Sequence, residues 1–261
     1  ILLGGMAGFA TLQGERLIVA NQLTATDLGL FSAALTLAMA PTMVVQRIVS
    51  RMFLPVLARH QDDEDAFRQK AELSLESLLV TGLTLMLVYV LVGPILLPVV
   101  YGADFTAGAP LVAILGITYT LRMVRAAPTS ISMAKGHTVN LLFANILRFT
   151  SFPVAFLIAV QGGGLVAIAT TGIAGEAIAL IAAYALIAIR EGMAPVLARR
   201  AALYGFSSAL ALLLAAMSVE IVDGPAPALA AVVLWLITLT RCQRFFRYLG
   251  GEVYRFRLRR P

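Results

Sequence analysis

From Ser77 to Val99 no residue carries a charge. A run that long and that apolar leaves the chain few folds. About 20 consecutive apolar residues cross a bilayer as a helix, which satisfies its own backbone hydrogen bonds where no water is present. Seven other stretches have the same character, at about 1–23, 28–49, 107–134, 139–160, 163–189, 201–221 and 226–240. None alternates with the period of two that a half-buried strand requires, so helices are expected. The composition agrees. Of the 261 residues 60% are apolar and 13% are charged, against about 25% charged in a soluble protein, and the mean hydropathy is +0.89. These figures exclude a soluble globular domain, a disordered tail and a nucleic-acid-binding module. The expected fold class is all-α, a polytopic transmembrane helix bundle of about eight spans.

Loop charge gives the expected orientation. The loops near 24–27, 100–106, 161–162 and 222–225 contain no Lys or Arg, and hold Asp27, Asp104 and Asp223. The intervening connections carry Arg51, Arg59, Arg68, Lys70, Lys135, Arg190, Arg199 and Arg200, and the tail adds Arg241, Arg244, Arg247, Arg255, Arg257, Arg259 and Arg260. Positive residues therefore fall on alternate loops, as the positive-inside rule requires of an even number of spans with both ends cytoplasmic. The net charge of +6 then forms a cytoplasmic fringe. The Arg- and aromatic-rich tail follows a hydrophobic span, where Arg meets anionic headgroups and Phe and Tyr occupy the interface, so lipid and not nucleic acid is its expected partner. The acidic run Asp62-Asp63-Glu64-Asp65 lacks the Gly and the ligand spacing of a calcium loop and reads as a solvated connector. His60 and His137 are isolated, and neither a metal nor a cofactor is expected. The single Cys242 forms no intrachain disulfide.

The informative residues are the ionisable ones inside spans. An Arg at the centre of a membrane helix costs about 2.5–3.5 kcal/mol, so Arg122, Arg125 and Arg148 facing lipid would cost on the order of 8–10 kcal/mol. They are expected to face a bundle interior or a water-filled cavity. Arg122 and Arg125 are three residues apart and share one helix face. Arg148 lies on the next span, expected to be antiparallel and adjacent. Glu176 lies at similar depth on the span after that. Glu15 and Arg16 are neighbours on the first span and cannot face each other. Two readings stay open. One is a set of structural ion pairs such as Arg148 with Glu176, with Arg125 reaching the interface. The other is a cationic cavity for an anion, which guanidinium suits because it stays charged and grips phosphate through paired hydrogen bonds. Three Arg against one central Glu favour an anion over a cation.

Pro41, Pro94, Pro98, Pro128, Pro153, Gly172 and Gly175 interrupt spans, as transporters and static bundles both allow. Gly4 and Gly8 form a GxxxG pair suited to close helix packing. The chain has no HExxH, Walker or GxSxG motif and no extracytoplasmic loop long enough for a catalytic domain, so an enzyme such as a membrane polysaccharide polymerase or ligase is not expected.

The order of these features carries a family resemblance. The stretch QGERLIVANQLTATDLGLFSAALTLAMAP resembles the seventh-to-eighth helix region of bacterial oligosaccharide (O-antigen-type) flippases. Glu15-Arg16, Leu28-Gly29 and Phe31 take the motif positions, with Glu15 in place of the commoner Asp. The segment RMFLPVLARHQDDEDAFRQ, with Pro55 and Leu57, is similar to the family's cytoplasmic connector. YGADFTAGAPLVAIL is similar to a later element through Tyr101, Gly102, Phe105 and Ala107, and Ala134-Lys135-Gly136 resembles the Ala-x-Gly that the family often has before its eleventh helix. The resemblance covers about 1–140, and beyond that it rests on span order.

The resemblance implies a member of the multidrug/oligosaccharidyl-lipid/polysaccharide exporter superfamily, with a MATE-like arrangement of two six-helix lobes around a cavity. Residues 1–189 would be the second lobe, 190–240 two additional helices and 241–261 a basic cytoplasmic tail, with the first lobe missing from this chain. The implied activity is transport: flipping an undecaprenyl-pyrophosphate-linked oligosaccharide from the cytoplasmic to the periplasmic leaflet of the bacterial inner membrane, for surface polysaccharide such as lipopolysaccharide O-antigen. Arg16, Arg122, Arg125 and Arg148 would attract the pyrophosphate or acidic sugars. Glu15 and Glu176 would balance charge, and one would couple to a proton. The implied partners are the lipid-linked oligosaccharide, membrane lipid, a coupling ion (H+ or Na+) and other polysaccharide-assembly membrane proteins. A cation-coupled multidrug antiporter and a peptidoglycan-precursor (lipid II) flippase are the alternatives of the same superfamily.

Overall fold

The computed structural model describes residues 13–222 and 224–242, and all the regular structure in them is helical. The helices are α1 (13–22 in its described part), α2 Ala25–Arg59, α3 Glu64–Leu91, α4 Gly93–Tyr101, α5 Ala109–Ala134, α6 Val139–Phe149, α7 Ser151–Val160, α8 Leu165–Arg190, α9 Ala194–Arg199, α10 Ala201–Ser218 and α11 Pro225–Arg241, with a 3-10 helix at Ala103–Gly108. Among the described residues, six helical segments are long and apolar enough to cross a membrane: Ala25–Arg59, Glu64–Leu91, Ala103–Ala134, Val139–Val160, Leu165–Arg190 and Ala201–Ser218. The protein is a multi-pass helical bundle. Helix α11 is apolar but has 17 residues, about 26 Å at 1.5 Å per residue and slightly short of the ~30 Å hydrocarbon core. The expected first span and the Gly4–Gly8 pair fall wholly or mostly outside the described residues, as does the tail beyond Cys242.

Helix starts are set by local chemistry. Thr24 caps α2 in a reciprocal box: its hydroxyl accepts from the Asp27 amide at 3.1 Å, and the Asp27 carboxylate accepts from the Thr24 amide at 3.2 Å. Asp63 caps α3 by accepting from the Ala66 amide at 3.0 Å, and Glu64 pairs with Arg68 one turn on at 3.0 Å. The acidic run is therefore a helix start as well as a connector, because its carboxylates satisfy free amides and sit at the positive end of the helix dipole. The third span begins in the structure at Glu64, well before the expected Ser77, and breaks near Val92, where Gly93 and Pro94 open α4.

Helix α5 is the central pillar, packed against α2, α3 and α8 and buried along almost its whole length. Its contact with α3 is close because both helices place glycine there. A Cβ on Gly116 would collide with the Tyr89 ring, and one on Gly82 with Val124. Tyr89 also donates to the Ala38 carbonyl of α2 at 2.9 Å. Helices α10 and α11 pair with each other and dock on α3, where the Trp235 indole donates to Thr84 Oγ1 at 3.1 Å.

One end of the bundle gathers the Lys- and Arg-bearing connections. Lys135 after α5 donates to the Gln61 carbonyl between α2 and α3 at 2.6 Å, and His137 meets Glu191 beyond α8 at 2.8 Å. At the other end Leu23, Phe105, Leu165 and Val219 join one apolar cluster. Successive spans thus run up and down, as the alternating loop charge requires.

Candidate functional site

Midway along the bundle three guanidinium groups converge on one carboxylate. Arg122 and Arg125 come from successive turns of α5. Arg148 comes from the end of α6, and Glu176 from the middle of α8. Glu176 Oε1 lies 2.6 Å from Arg122 Nε and 2.5 Å from Arg148 Nε, and its Oε2 lies 3.3 Å from Arg125 Nε. Glu15 on α1 closes the group from the far side, 3.6 Å from Arg148 Nη2. Arg125 Nη1 also donates to Asn145 Oδ1 at 2.9 Å. Arg122 stacks over the Tyr119 ring at 4.7 Å and Arg148 over the Phe152 ring at 5.4 Å.

The backbone explains how these side chains meet. The fifth span is two helices, α6 and α7, parted at Thr150. Pro153 has no amide to offer the Phe149 carbonyl, and the Ser151 hydroxyl turns back to the Arg148 carbonyl at 2.9 Å. Arg148 thus sits beside a break at mid-depth, the kind of position that membrane transporters use for polar sites. On α8, two glycines admit the neighbours. A Cβ on Gly172 would stand 2.7 Å from Glu15 Oε1, and one on Gly175 would stand 2.6 Å from Ser151 Oγ.

The group is shielded. Glu176 is 0% and Arg148 1% exposed, and only the Arg122 side chain reaches 11%. With every group ionised, three cations face two carboxylates. A buried charge excess in a membrane is costly unless an anion or solvent compensates it.

Of the residues singled out from sequence, the structure brings together Arg122, Arg125, Arg148, Glu15 and Glu176. Arg16 is exposed on α1, turned away from Glu15 by the roughly 100° between successive helical residues. The Arg148–Glu176 pair exists, but inside a five-residue group. The adjacency expected for the fourth and fifth spans holds only weakly. Helix α6 packs chiefly on α8, which also packs on α5, so the Glu176 carboxylate bridges the two. Arg125 does not reach an interface, because α5 is enclosed. Among the described residues no three His, Cys, Asp or Glu side chains gather in a way that could hold a metal ion.

A second charged set escaped the sequence reading. Glu72 and Glu76, on one face of α3, are 2% and 1% exposed. Arg199 Nη2 reaches Glu72 at 2.7 Å, Arg200 Nε reaches Glu72 at 2.8 Å and Arg200 Nη2 reaches Glu76 at 2.9 Å. The available signal was the i, i+4 spacing of two like charges at the mouth of an apolar helix. Such a pair repels unless cations cover it, and Arg199-Arg200 is the adjacent cation pair in the sequence.

No curated protein and no solved structure matches this chain. Residues 1–110, which run from the first apolar stretch to the start of α5 and include Glu15 and Arg16, match the model of a family described as polysaccharide biosynthesis protein.

Proposed function

We propose that this chain forms part of a membrane transporter that flips an undecaprenyl-pyrophosphate-linked oligosaccharide between leaflets, from the cytoplasmic to the periplasmic side of the bacterial inner membrane. The family match over residues 1–110 supports a role in polysaccharide biosynthesis. The observation that carries the transport reading is the excess guanidinium at mid-depth, built from α5 and the broken fifth span. A pyrophosphate diester offers two anionic phosphates to three Arg side chains. Its arrival would compete with Glu176 for Arg122 and Arg125, open the group and favour a second arrangement of the helices. A MATE-like second lobe at 1–189, helped by the added pair at 190–240, would provide those helices, with a first lobe across the cavity.

Arg16 belongs to a different face and would meet the substrate only on its way to or from the group. Of the two carboxylates, Glu15 has the single longer contact, so proton coupling falls more naturally to Glu15 than to Glu176. A cation-coupled drug antiporter fits less well, since it would need surplus carboxylate where this protein has surplus guanidinium. The closed geometry favours one competing reading, a purely structural ion lock.

Binding to the purified full chain separates the two. Undecaprenyl pyrophosphate should raise the melting temperature while undecaprenol does not, and Arg122→Gln should weaken the pyrophosphate effect at least tenfold in concentration. Equal responses to both lipids, or an unchanged response in the variant, would leave the lock as the better account.

A further inference from the structure

A second basic concavity lies far from the mid-depth group, at the end of the bundle where the Lys- and Arg-bearing connections meet. It has a volume of about 260 Å³ and is lined by Glu64, Arg68, Lys135, His137, Arg190 and Glu191 among others. Three connections build it: the start of α3, the α5–α6 turn and the end of α8.

Its charges are unevenly matched. Glu64 is held by Arg68 at 3.0 Å. Glu191, whose side chain is 1% exposed, accepts from His137 Nδ1 at 2.8 Å and from Asn140 Nδ2 at 3.2 Å. Both carboxylates are engaged by hydrogen bonds, and with His137 neutral Arg68, Lys135 and Arg190 exceed them by one positive charge. The two remaining cations have neutral partners. Lys135 Nζ donates to the Gln61 carbonyl at 2.6 Å and lies over the Phe67 ring at 4.4 Å. Arg190 Nη1 donates to Asn140 Oδ1 at 2.8 Å. Asn140 is itself fixed by Ser132 at 3.1 Å, so the Arg190 guanidinium is held in place by a neutral amide.

The surroundings supply the second half of the argument. Met133, Val139 and Ile189, close in sequence to Lys135, Asn140 and Arg190, are exposed large apolar side chains. In a membrane-spanning bundle they meet acyl chains, which puts Lys135 and Arg190 at headgroup level. Basic pockets between transmembrane helices at that level take anionic headgroups.

We infer that this concavity, formed by Lys135 and Arg190 with Arg68 and His137 at its rim, is a binding site for a phosphate monoester or diester at the membrane interface, separate from the mid-depth group. The inference rests on the geometry of this end of the bundle and not on the transport reading. The shared chemistry is phosphate, presented by an anionic lipid or by a soluble phosphate.

The test uses the purified full chain in a neutral detergent and reads its melting temperature. The probes are dioleoylphosphatidylglycerol, dioleoylphosphatidylcholine and inorganic phosphate. Phosphatidylglycerol should raise the melting temperature by on the order of 5 °C, and phosphatidylcholine should not. The double variant Lys135→Gln/Arg190→Gln should lose that rise, and Lys135→Arg should keep it. Arg122→Gln should also keep it, which separates this site from the mid-depth group. A rise with phosphatidylglycerol alone assigns the phosphate to lipid, and an equal rise with inorganic phosphate assigns it to a soluble source. The inference is overturned if the wild-type chain does not respond, or if the rise survives in the double variant. Should the double variant not fold, Lys135→Gln alone decides, because its Nζ contacts only a carbonyl and a ring face; it should at least halve the rise, and a full rise overturns the site.

Discussion

Glu176 holds three guanidiniums on a helix that has no other charge before Arg190. Removing its charge leaves those cations facing one distant carboxylate at Glu15. Breaking a buried pair by deleting one partner costs about 3–5 kcal/mol. Glu176→Gln should therefore lower the melting temperature of the detergent-purified protein by roughly 10 °C, at about 2–4 °C per kcal/mol for a chain of this size. An unchanged melting temperature would mean that the group contributes nothing to the fold. The members of this group were legible in the sequence, because a charge inside an apolar run has a visible insertion cost. Their partnership was less so. Arg122 and Arg125 share a face by spacing alone, but the Glu176 bridge depends on α8 packing on both α5 and α6, which chain order does not encode. Arg16 was singled out by its position in an apolar run, and only helical phase separates it from Glu15.

Elements meet here through polar clamps as much as through apolar packing. Glu72 and Glu76 on α3 hold Arg199 and Arg200 at the entrance to α10, and Arg200 Nη1 also donates to the Arg241 carbonyl at the end of α11 at 3.4 Å. The clamp therefore ties the α10–α11 pair to the rest of the bundle from one end. The Glu72→Gln/Glu76→Gln variant should free that end while the Trp235–Thr84 hydrogen bond still holds the pair at mid-height. Limited proteolysis after Arg199 and Arg200 should become at least several-fold faster in that variant, with cleavage elsewhere unchanged. Equal cleavage rates would show that apolar packing alone fixes the pair. This clamp escaped the sequence reading because Glu72 borders a polar run, where a carboxylate reads as solvated. The span positions were easier. Six of the expected runs correspond to membrane-length helical segments, because run length and apolarity are read directly. The breaks at Val92 and Thr150 were foreshadowed by Pro94 and Pro153, but the sequence did not distinguish a bend from two helices.

At the scale of the whole molecule, the connections at 60–63, 135–138 and 191–193 share one end of the bundle. Single cysteines placed in these connections should label with a membrane-impermeant maleimide from one side only, and cysteines at 102–104 or 161–162 from the other. Labelling of both sets from the same side would break the up-and-down path. The native Cys242 can stay in place for this experiment. It is buried, and burial pushes its thiol up to about 12, with the nearby Glu76 charge adding to the effect. The group whose acid form is favoured stays a neutral thiol at pH 7 and becomes reactive only as the pH approaches that value or the protein unfolds.

The transport reading depends on the excess guanidinium at mid-depth acting on an anionic substrate, and translocation is its most direct readout. In vesicles carrying the full-length protein, the rate at which an undecaprenyl-pyrophosphate-linked oligosaccharide reaches the opposite leaflet is the quantity to measure. Arg122→Gln removes one cation, leaving two against two carboxylates, at the most exposed position of the group. The account predicts at least a tenfold slower rate, about 1.4 kcal/mol or more, with insertion and melting temperature close to wild type and partial recovery in Arg122→Lys. A wild-type rate in Arg122→Gln would contradict it.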